Sequence, residues 1–280
     1  MSSRKVKLGV VQMSMSLRRD ENLDKAMGLV EEAARKGAQV VCLPELFSLR
    51  YFPATRGSRQ SPDLIPGPTT RALSRAAKDS GMILVGGTVY EKSGDSRYNT
   101  CLVYDEKGRM VSKYRKVHIP QDEHYFEQDY FDSGDEYVVA KTDRCSIGTL
   151  VCFDQWYPEP ARICRLMGAE LLLYPTAIGW VRGIEQDEGD WRRAWESVQV
   201  GHAIANSVVV AAVNRVGTEG ETTFWGGSFV CDQFGKILLR AGEKEGAYVV
   251  ECDLGLGKRV ENGWGFMRNR QKSTYSRIVK

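Results

Sequence analysis

A cysteine, a glutamate and a lysine each stand at the end of an apolar, strand-like run of the sequence. Cys152 closes a run over residues 146–152, and the stretch after it is typical of a sharp turn into a helix near Pro158. Glu45 and Lys116 follow comparable runs. A thiol, a carboxylate and an ammonium at three strand exits could serve as a nucleophile, its base and a stabiliser of negative charge. The three residues therefore predict a nucleophilic catalytic site.

The chemistry of this predicted site depends on the protonation state of the thiol. A cysteine attacks a carbonyl or nitrile well only as a thiolate, so it needs a base or a local positive charge. Glu45 could accept the proton and later activate water or protonate a leaving amine. Lys116 could keep Glu45 ionised and, with the backbone N–H of Phe153, stabilise the charge that develops on the substrate oxygen.

Each of these residues also has an ordinary structural interpretation when it is taken alone. Cys152 would be a buried core thiol, Glu45 a carboxylate at a helix start, and Lys116 a solvated surface amine. No papain-like or caspase-like motif surrounds Cys152, although the sequence does not exclude any of its three histidines as a partner: His118, His124 and His202. The chain lacks HExxH, a P-loop and GxGxxG, so we expect neither a metal nor a cofactor.

The elements that must position these residues occur twice along the chain. Residues 37–44 resemble 168–175, residues 80–86 resemble 206–212, and residues 100–111 resemble 227–238, at separations of 131, 126 and 127 residues. Because the three matches occur in order at nearly one separation, each half is predicted to have the order β-α-β-α-β-β. Two sheets with helices on one face each would bury their other faces together.

This repeat predicts an α/β fold, a four-layer α-β-β-α sandwich. The expected strands lie near residues 5–12, 39–43, 82–89, 146–151, 170–174, 207–213 and 247–253. The expected helices lie near 21–36, 69–80, 159–167 and 187–206, and hairpins are expected over 98–115 and 227–241. We expect a single domain over residues 1–280, in which the stretch at about 254–280 is a tail.

Composition limits the class of protein and its partners. With 280 residues, of which 42% are hydrophobic and 27% charged, the chain can form a large core. The net charge of +3 without runs of like charge favours neither nucleic acid nor a membrane as partner. Seven cysteines without CxxC spacing indicate reduced thiols, and no signal peptide or membrane span is recognisable. We therefore expect a cytoplasmic protein.

Three segments together resemble the Glu-Lys-Cys signature of the nitrilase (carbon–nitrogen hydrolase) superfamily. They are Leu-Pro-Glu-Leu-Phe around Glu45, Tyr-Arg-Lys-Val-His around Lys116, and Cys-Phe-Asp-Gln-Trp-Tyr-Pro-Glu from Cys152. The resemblance covers nearly the whole chain and implies the same sandwich and a covalent cysteine intermediate. It implies that Glu127 is a further glutamate that orients the lysine and the attacking water. It also assigns substrate binding to four residues: Tyr51, Phe153, Thr176 and Ala177.

Within this superfamily the chain most resembles the N-carbamoylputrescine amidases, which act in polyamine biosynthesis. Residues 118–135, 152–159 and 174–179 carry this resemblance. It implies hydrolysis of a terminal ureido group to an amine, CO2 and ammonia. A homo-oligomer, at least a dimer, is expected from the resemblance and from the aromatic residues of the tail over 263–270.

The sequence departs from that branch where the substrate's distant ammonium would be bound. The branch has a glutamate there, and this chain has Val181. Glu185, Asp187 and Glu188 could replace that glutamate, or they could form a solvated acidic loop. The expected substrate is a small linear ureido or amide compound such as N-carbamoylputrescine. An amidase or nitrilase with another substrate, and a scaffold without activity, are the alternatives.

Overall fold

Two halves with the same order of elements make up most of the protein, whose computed structural model describes residues 4–184 and 186–279. The first half comprises β1 (Lys5–Gln12), α1 (Arg19–Arg35), β2 (Val40–Cys42), α2 (Pro68–Ser80), β3 (Ile83–Ser93), β4 (Ser96–Tyr104) and β5 (Met110–Arg115). A small hairpin follows, formed by β6 (Gln121–Asp122) and β7 (Tyr125–Phe126).

The second half repeats this order and contains four additional strands. Its elements are β8 (Val139–Lys141), β9 (Ser146–Thr149), α3 (Pro158–Leu166), β10 (Leu171–Pro175), β11 (Gly179–Val181), α4 (Trp191–Asn206), β12 (Val209–Val213), β13 (Val216–Glu219), β14 (Thr222–Trp225), β15 (Phe229–Cys231) and β16 (Ile237–Arg240). The additional strands are β8, β11, β13 and β14. The chain then forms β17 (Gly246–Asp253) and α5 (Gly255–Trp264). Short 3-10 helices occur at Phe52–Ala54, Glu127–Asp129, Cys152–Trp156 and Lys272–Val279.

Two six-stranded sheets pack face to face. Their strand orders are β17-β1-β2-β3-β4-β5 and β16-β15-β12-β10-β9-β8. The strands joined through helices pair in parallel, and the hairpin strands pair antiparallel. One apolar core joins the facing sheets, with Val10 and Leu173 among its members, and a second core packs Val30 and Leu73 of the outer helices onto the first sheet. The predicted α-β-β-α sandwich is confirmed.

Two of the element ends that differ from the predicted ends lie next to the site described below. Strand β9 ends at Thr149, so Cys152 lies in a 3-10 turn beyond the strand. Helix α4 begins at Trp191 because Asp190 caps it: the Asp190 carboxylate accepts a hydrogen bond of 2.9 Å from the backbone N–H of Arg193. Gly189, at a φ of +110°, turns the chain just before this cap.

Three of the additional strands, inserted at two places in the second half, form a three-stranded sheet that sequence analysis missed. Its order is β11-β14-β13, and the β13–β14 hairpin turns at Gly220, which has a φ of +64°. Strands of only three or four residues carry too short an alternating pattern to be recognised in the sequence. This sheet matters because β11 lines the cavity described below.

The C-terminal tail begins as a packed helix. Gly257 of α5 lies so close to the chain at Ser207 that a Cβ there would stand 2.6 Å from the Ser207 carbonyl oxygen. Val260 is buried on the same helix. Residues 255–264 are therefore held against the domain rather than frayed. No helix within the described residues is long and apolar enough to cross a membrane.

Candidate active site

Glu45 occupies an irregular loop just after β2 and is fully buried. Its Oε1 accepts hydrogen bonds from the Lys116 ammonium at 3.0 Å and from the Asn99 side-chain amide at 2.8 Å. Its Oε2 is buried and has no hydrogen-bond partner among the described residues. A buried carboxylate oxygen without a donor retains its capacity to accept a proton, which a general base requires.

Lys116 lies between two buried glutamates. Strand β5 ends at Arg115, and the backbone N–H of Lys116 donates to the Asn99 carbonyl of the neighbouring strand β4 at 2.9 Å. The ammonium donates to both oxygens of Glu127, at 2.9 and 2.7 Å, and to Glu45. Burial disfavours its charged form, but the charges of Glu127 and Glu45 outweigh burial and raise the pKa of Lys116 above its ordinary value. Lys116 is therefore a fixed positive charge.

Glu127 begins the 3-10 helix that follows the β6–β7 hairpin and is also fully buried. Besides the two bonds from Lys116, it accepts a hydrogen bond of 2.6 Å from the Tyr51 hydroxyl. Burial raises the pKa of Glu127 to about 7; the Lys116 charge opposes this, and the Glu45 charge reinforces it. Two buried carboxylates share one ammonium, so the cluster holds a proton more tightly than an isolated glutamate does.

Cys152 starts the 3-10 turn at a φ of +42°, a conformation that a residue with a Cβ rarely adopts. Its Sγ lies 3.9 Å from the Ala177 carbonyl oxygen. Burial, followed by the nearby Glu45 charge, raises the pKa of the Cys152 thiol well above its usual range, against the opposing effect of Lys116. Burial therefore favours the neutral form of the Cys152 thiol, and its sulfur would act as a nucleophile only after a base removed the proton.

Cys152 lines a cavity of about 540 Å³ that is partly open to solvent. Glu45, Lys116 and Glu127 are fully buried, and Cys152 is the member of the group that belongs to the described lining of the cavity. The described lining residues are Pro120, Asp122, Glu123, Tyr125, Cys152, Phe153, Gln155, Trp156, Ile178, Gly179, Val181, Ile184, Glu188, Trp191 and Ala194. This size suits a small molecule.

The charged lining residues are all acidic. Asp122 and Glu123 come from the β6–β7 hairpin, and Glu188 precedes α4. The Glu188 carboxylate accepts a hydrogen bond of 3.0 Å from the Trp191 indole N–H, which lowers the pKa of Glu188. None of the described lining residues is a lysine or an arginine. The cavity therefore favours a ligand that is neutral or positively charged away from its reacting end.

The four predicted substrate-binding residues differ in their position relative to the cavity. Phe153 lines the cavity. Tyr51 and Thr176 are buried and use their hydroxyls within the protein, Tyr51 on Glu127 and Thr176 on the Tyr174 carbonyl at 2.9 Å. Ala177 is buried too, and its carbonyl faces the Cys152 sulfur. The hydroxyls of Tyr51 and Thr176 therefore bind other groups of the protein, and neither residue belongs to the described lining of the cavity.

The acidic residues after Val181 also differ in position. Val181 itself is buried and lines the cavity, so the position of the branch's glutamate is occupied by an apolar side chain. Glu188 lines the cavity and Asp187 lies outside the described lining, and both residues are exposed to solvent. Glu185 lies outside the described residues.

Sequence analysis missed several residues that shape the site. Asn99 binds Glu45, while Tyr125, Trp156 and Trp191 line the cavity. Asn99 lies within an ordinary strand pattern, and only its spatial position beside Glu45 distinguishes it. Trp191 could have been found, since an aromatic residue at a helix start beside acidic residues is a plausible ligand contact.

The chain is similar to known proteins over nearly its whole length. The family model described as carbon–nitrogen hydrolase matches residues 7–261. The chain is 36% identical to the N-carbamoylputrescine amidase of Oryza sativa subsp. japonica over 98% of this chain and 95% of that protein. It is 32% identical to the omega-amidase NIT2 of Xenopus tropicalis over 97% of each.

Solved structures give the same result for the fold. A carbon–nitrogen hydrolase from Helicobacter pylori G27 superposes with a TM-score of 0.90 at 32% identity over 99% of each chain. A mutant of the amidase from Nesterenkonia sp. AN1 superposes with a TM-score of 0.81 at 25% identity, over 98% of this chain and 97% of that one. The latter structure shows covalent addition of the acetamide moiety of fluoroacetamide at the active site cysteine.

Proposed function

Because this chain belongs to the carbon–nitrogen hydrolase family of the nitrilase superfamily, we propose that it hydrolyses N-carbamoylputrescine to putrescine, CO2 and ammonia through a covalent Cys152 intermediate. The observation that carries this proposal is the buried cluster of Glu45, Lys116 and Glu127 beside a cysteine that lines a small acidic cavity. The cluster supplies a base and a fixed positive charge, and the cavity suits a small cationic molecule.

The proposed reaction begins when Glu45 takes the Cys152 proton as the sulfur attacks the ureido carbon. A C–S bond forms, and the carbonyl π electrons move onto oxygen, where Lys116 and the backbone N–H of Phe153 stabilise the negative charge. The oxyanion collapses, the C–N bond to the terminal nitrogen breaks, and ammonia leaves with the proton that Glu45 returns. A water molecule that Glu45 deprotonates then attacks the carbonyl carbon, the C–S bond breaks, and the departing Cys152 sulfur takes the proton back from Glu45. The resulting carbamic acid separates into CO2 and the amine.

The acidic cavity supports a cationic substrate. An ammonium several methylenes from the scissile carbon needs a carboxylate at the cavity mouth, because an unpaired charge is costly to remove from water. Val181 offers none, and Glu188 is the acidic lining residue that a neighbouring indole holds in place. We therefore propose that Glu188 receives the ammonium of the substrate.

Replacing Glu188 with glutamine is expected to raise KM for N-carbamoylputrescine about two- to fivefold, the range typical of an exposed charge pair. The change in kcat should be smaller, because the ammonium lies away from the reacting carbon. Steady-state ammonia release measures both constants. Asp187→Asn is the matched control, since it removes an exposed charge nearby without altering the described lining, and should leave KM unchanged.

The uncharged analogue butylurea separates this substrate from the alternatives. Wild-type enzyme should hydrolyse N-carbamoylputrescine with a higher kcat/KM than butylurea, and Glu188→Gln should narrow that gap. Equal kcat/KM values would reject the cationic substrate and leave an amidase of the same superfamily with an uncharged substrate. The similarity to omega-amidases favours simple amides as the next compounds to assay.

The pH dependence of activity should report the charge state of the buried cluster. The Glu127 carboxylate accepts all three of the hydrogen bonds that its side chain makes within the described residues, a geometry that fits an ionised carboxylate. Since its pKa is raised to about 7, we expect kcat/KM to fall with one-proton dependence below about pH 7. Glu127→Gln should reduce activity and remove this acid limb. An unaltered limb in that variant would assign the limb to another group.

We also propose that the protein forms a homo-oligomer, at least a dimer. The ring of Trp264 lies tilted against those of Phe234 and Phe266, and Phe234 and Trp264 are exposed to solvent. Exposed aromatic patches of this kind favour association. Light scattering should give at least twice the monomer mass of 31.4 kDa at working concentration. A monomer mass would reject this proposal.

A further inference from the structure

The loop that carries Glu45 is held by a fully buried arginine from a distant part of the chain. Arg215 donates through Nη2 to the carbonyl oxygen of Glu45 at 3.0 Å, of Leu46 at 2.9 Å and of Leu49 at 3.0 Å. Its side chain is completely excluded from solvent. One guanidinium nitrogen thus donates to three backbone carbonyl oxygens that accept no hydrogen bond from a helix or a strand within the described residues.

The loop needs such external support because its backbone conformation is unfavourable. Leu46 has a φ of +46°, which places a branched side chain in the left-handed region directly after Glu45. The N–H of Leu46 donates to the Thr88 hydroxyl at 2.8 Å. Donors and acceptors from other elements therefore fix the backbone that sets the direction of the Glu45 carboxylate.

The same arginine is linked to the second carboxylate of the site. Arg215 Nη1 donates to Glu219 Oε1 at 2.8 Å, and Glu219 Oε2 accepts a hydrogen bond of 2.6 Å from the Tyr51 backbone N–H. The Tyr51 hydroxyl in turn donates to Glu127. A continuous series of short contacts therefore runs from Arg215 to both Glu45 and Glu127.

The Arg215–Glu219 pair belongs to the sheet that forms a wall of the cavity. Arg215 immediately precedes β13, Glu219 ends it, and the guanidinium lies 5.1 Å from the ring centroid of Phe224 on β14. Strand β14 pairs with β11, whose Gly179 and Val181 line the cavity. The Arg215–Glu219 pair therefore contacts the Glu45 loop and also belongs to the sheet that lines the cavity.

We propose that Arg215 is a positioning residue for the reaction: through three carbonyls and the Glu219–Tyr51 contact it fixes the Glu45 carboxylate relative to Cys152 and Glu127. This inference rests on the proposed function, because it takes Glu45 as the base. Its effect is on geometry rather than on substrate binding. A displacement of about 1 Å in a catalytic group costs on the order of 100-fold in rate.

Arg215→Lys is the variant that tests this role. An ammonium keeps the positive charge opposite Glu219, but it lacks the planar fork that serves Glu219 and three carbonyls at once. We expect kcat to fall about 100-fold with little change in KM. The second-order rate constant for alkylation of Cys152 by iodoacetamide should also differ from that of the wild type, because a displaced Glu45 alters the protonation of the thiol.

Arg19→Lys is the matched control. Arg19 also pairs with a buried carboxylate, that of Asp63, but it contacts neither the Glu45 loop nor the described lining of the cavity. This control should retain wild-type kcat and wild-type alkylation of Cys152, even where its thermal stability falls by the same amount. A loss of activity in both variants would indicate that lowered stability alone is responsible, and would overturn the proposal.

The alkylation measurement needs no substrate, so it separates this inference from the proposed substrate. Folded Arg215→Lys protein with wild-type kcat and wild-type alkylation of Cys152 overturns the positioning role. If Arg215→Lys does not fold, Glu219→Gln decides the question. Its amide cannot accept from both Arg215 and Tyr51 as the carboxylate does, so reduced kcat with unchanged KM supports the proposal and wild-type kcat overturns it.

Discussion

Replacing Cys152 with alanine is expected to lower turnover more than about 1,000-fold and leave the fold intact. Cys152 is the one cysteine in the described lining of the cavity, and the proposed reaction has no covalent step without its sulfur. Alanine fits the same space and accepts the positive φ no worse than cysteine does. Ammonia release from the candidate substrate measures the loss, and circular dichroism confirms the fold.

Cys101→Ala is the control for this prediction. Cys101 is fully buried on β4 and is absent from the described lining of the cavity, so its replacement removes a core thiol without touching the site. We expect lowered stability from the lost packing but wild-type kcat per folded molecule. Appreciable turnover in Cys152→Ala would refute the covalent mechanism, whatever the control shows.

Glu45→Gln is expected to reduce kcat by about 100- to 10,000-fold, the range for loss of a general base. The amide retains the size of the side chain and can accept the bond from Lys116. Lys116 also keeps its pair with Glu127, so the change leaves no buried charge unpaired. The protein should therefore fold, and thermal unfolding should show a midpoint close to that of the wild type.

Glu251→Gln provides the matched control for Glu45→Gln. Glu251 forms an exposed ion pair with Lys5 on the paired strands β17 and β1. Loss of one exposed pair should leave both kcat and stability nearly unchanged. Wild-type kcat in Glu45→Gln would exclude Glu45 as the base and direct attention to Glu127.

The repeated pattern of the sequence was sufficient to predict the sandwich, because each half must bury one face of its sheet. The strand around Val10 and the strand around Leu173 both lie in the core between the sheets, as their apolar character predicts. Strand β11 could not be predicted in this way. Its three residues pair with residues of β14 that lie 41 to 45 positions later in the sequence, and a local periodic pattern cannot predict such a distant contact.

The sequence also predicted which charged residues could form a site, and the structure brings Lys116 into direct contact with both Glu45 and Glu127. The sequence could not predict which groups the remaining residues of the site contact. Tyr51 was expected to meet the substrate, yet its hydroxyl binds Glu127. Arg215 follows an apolar strand like many surface arginines, and its burial arises only because the Glu45 loop crosses over it.

Site-specific alkylation of native enzyme tests the central claim, that Cys152 is the nucleophile in the cavity, most directly. The protein is treated with iodoacetamide, with and without the substrate, and labelled cysteines are identified by peptide mass spectrometry. We expect loss of activity to follow labelling of Cys152 one for one, and substrate to slow both, while the other six cysteines, all buried, react more slowly. Retention of activity in protein fully labelled at Cys152 would contradict the claim.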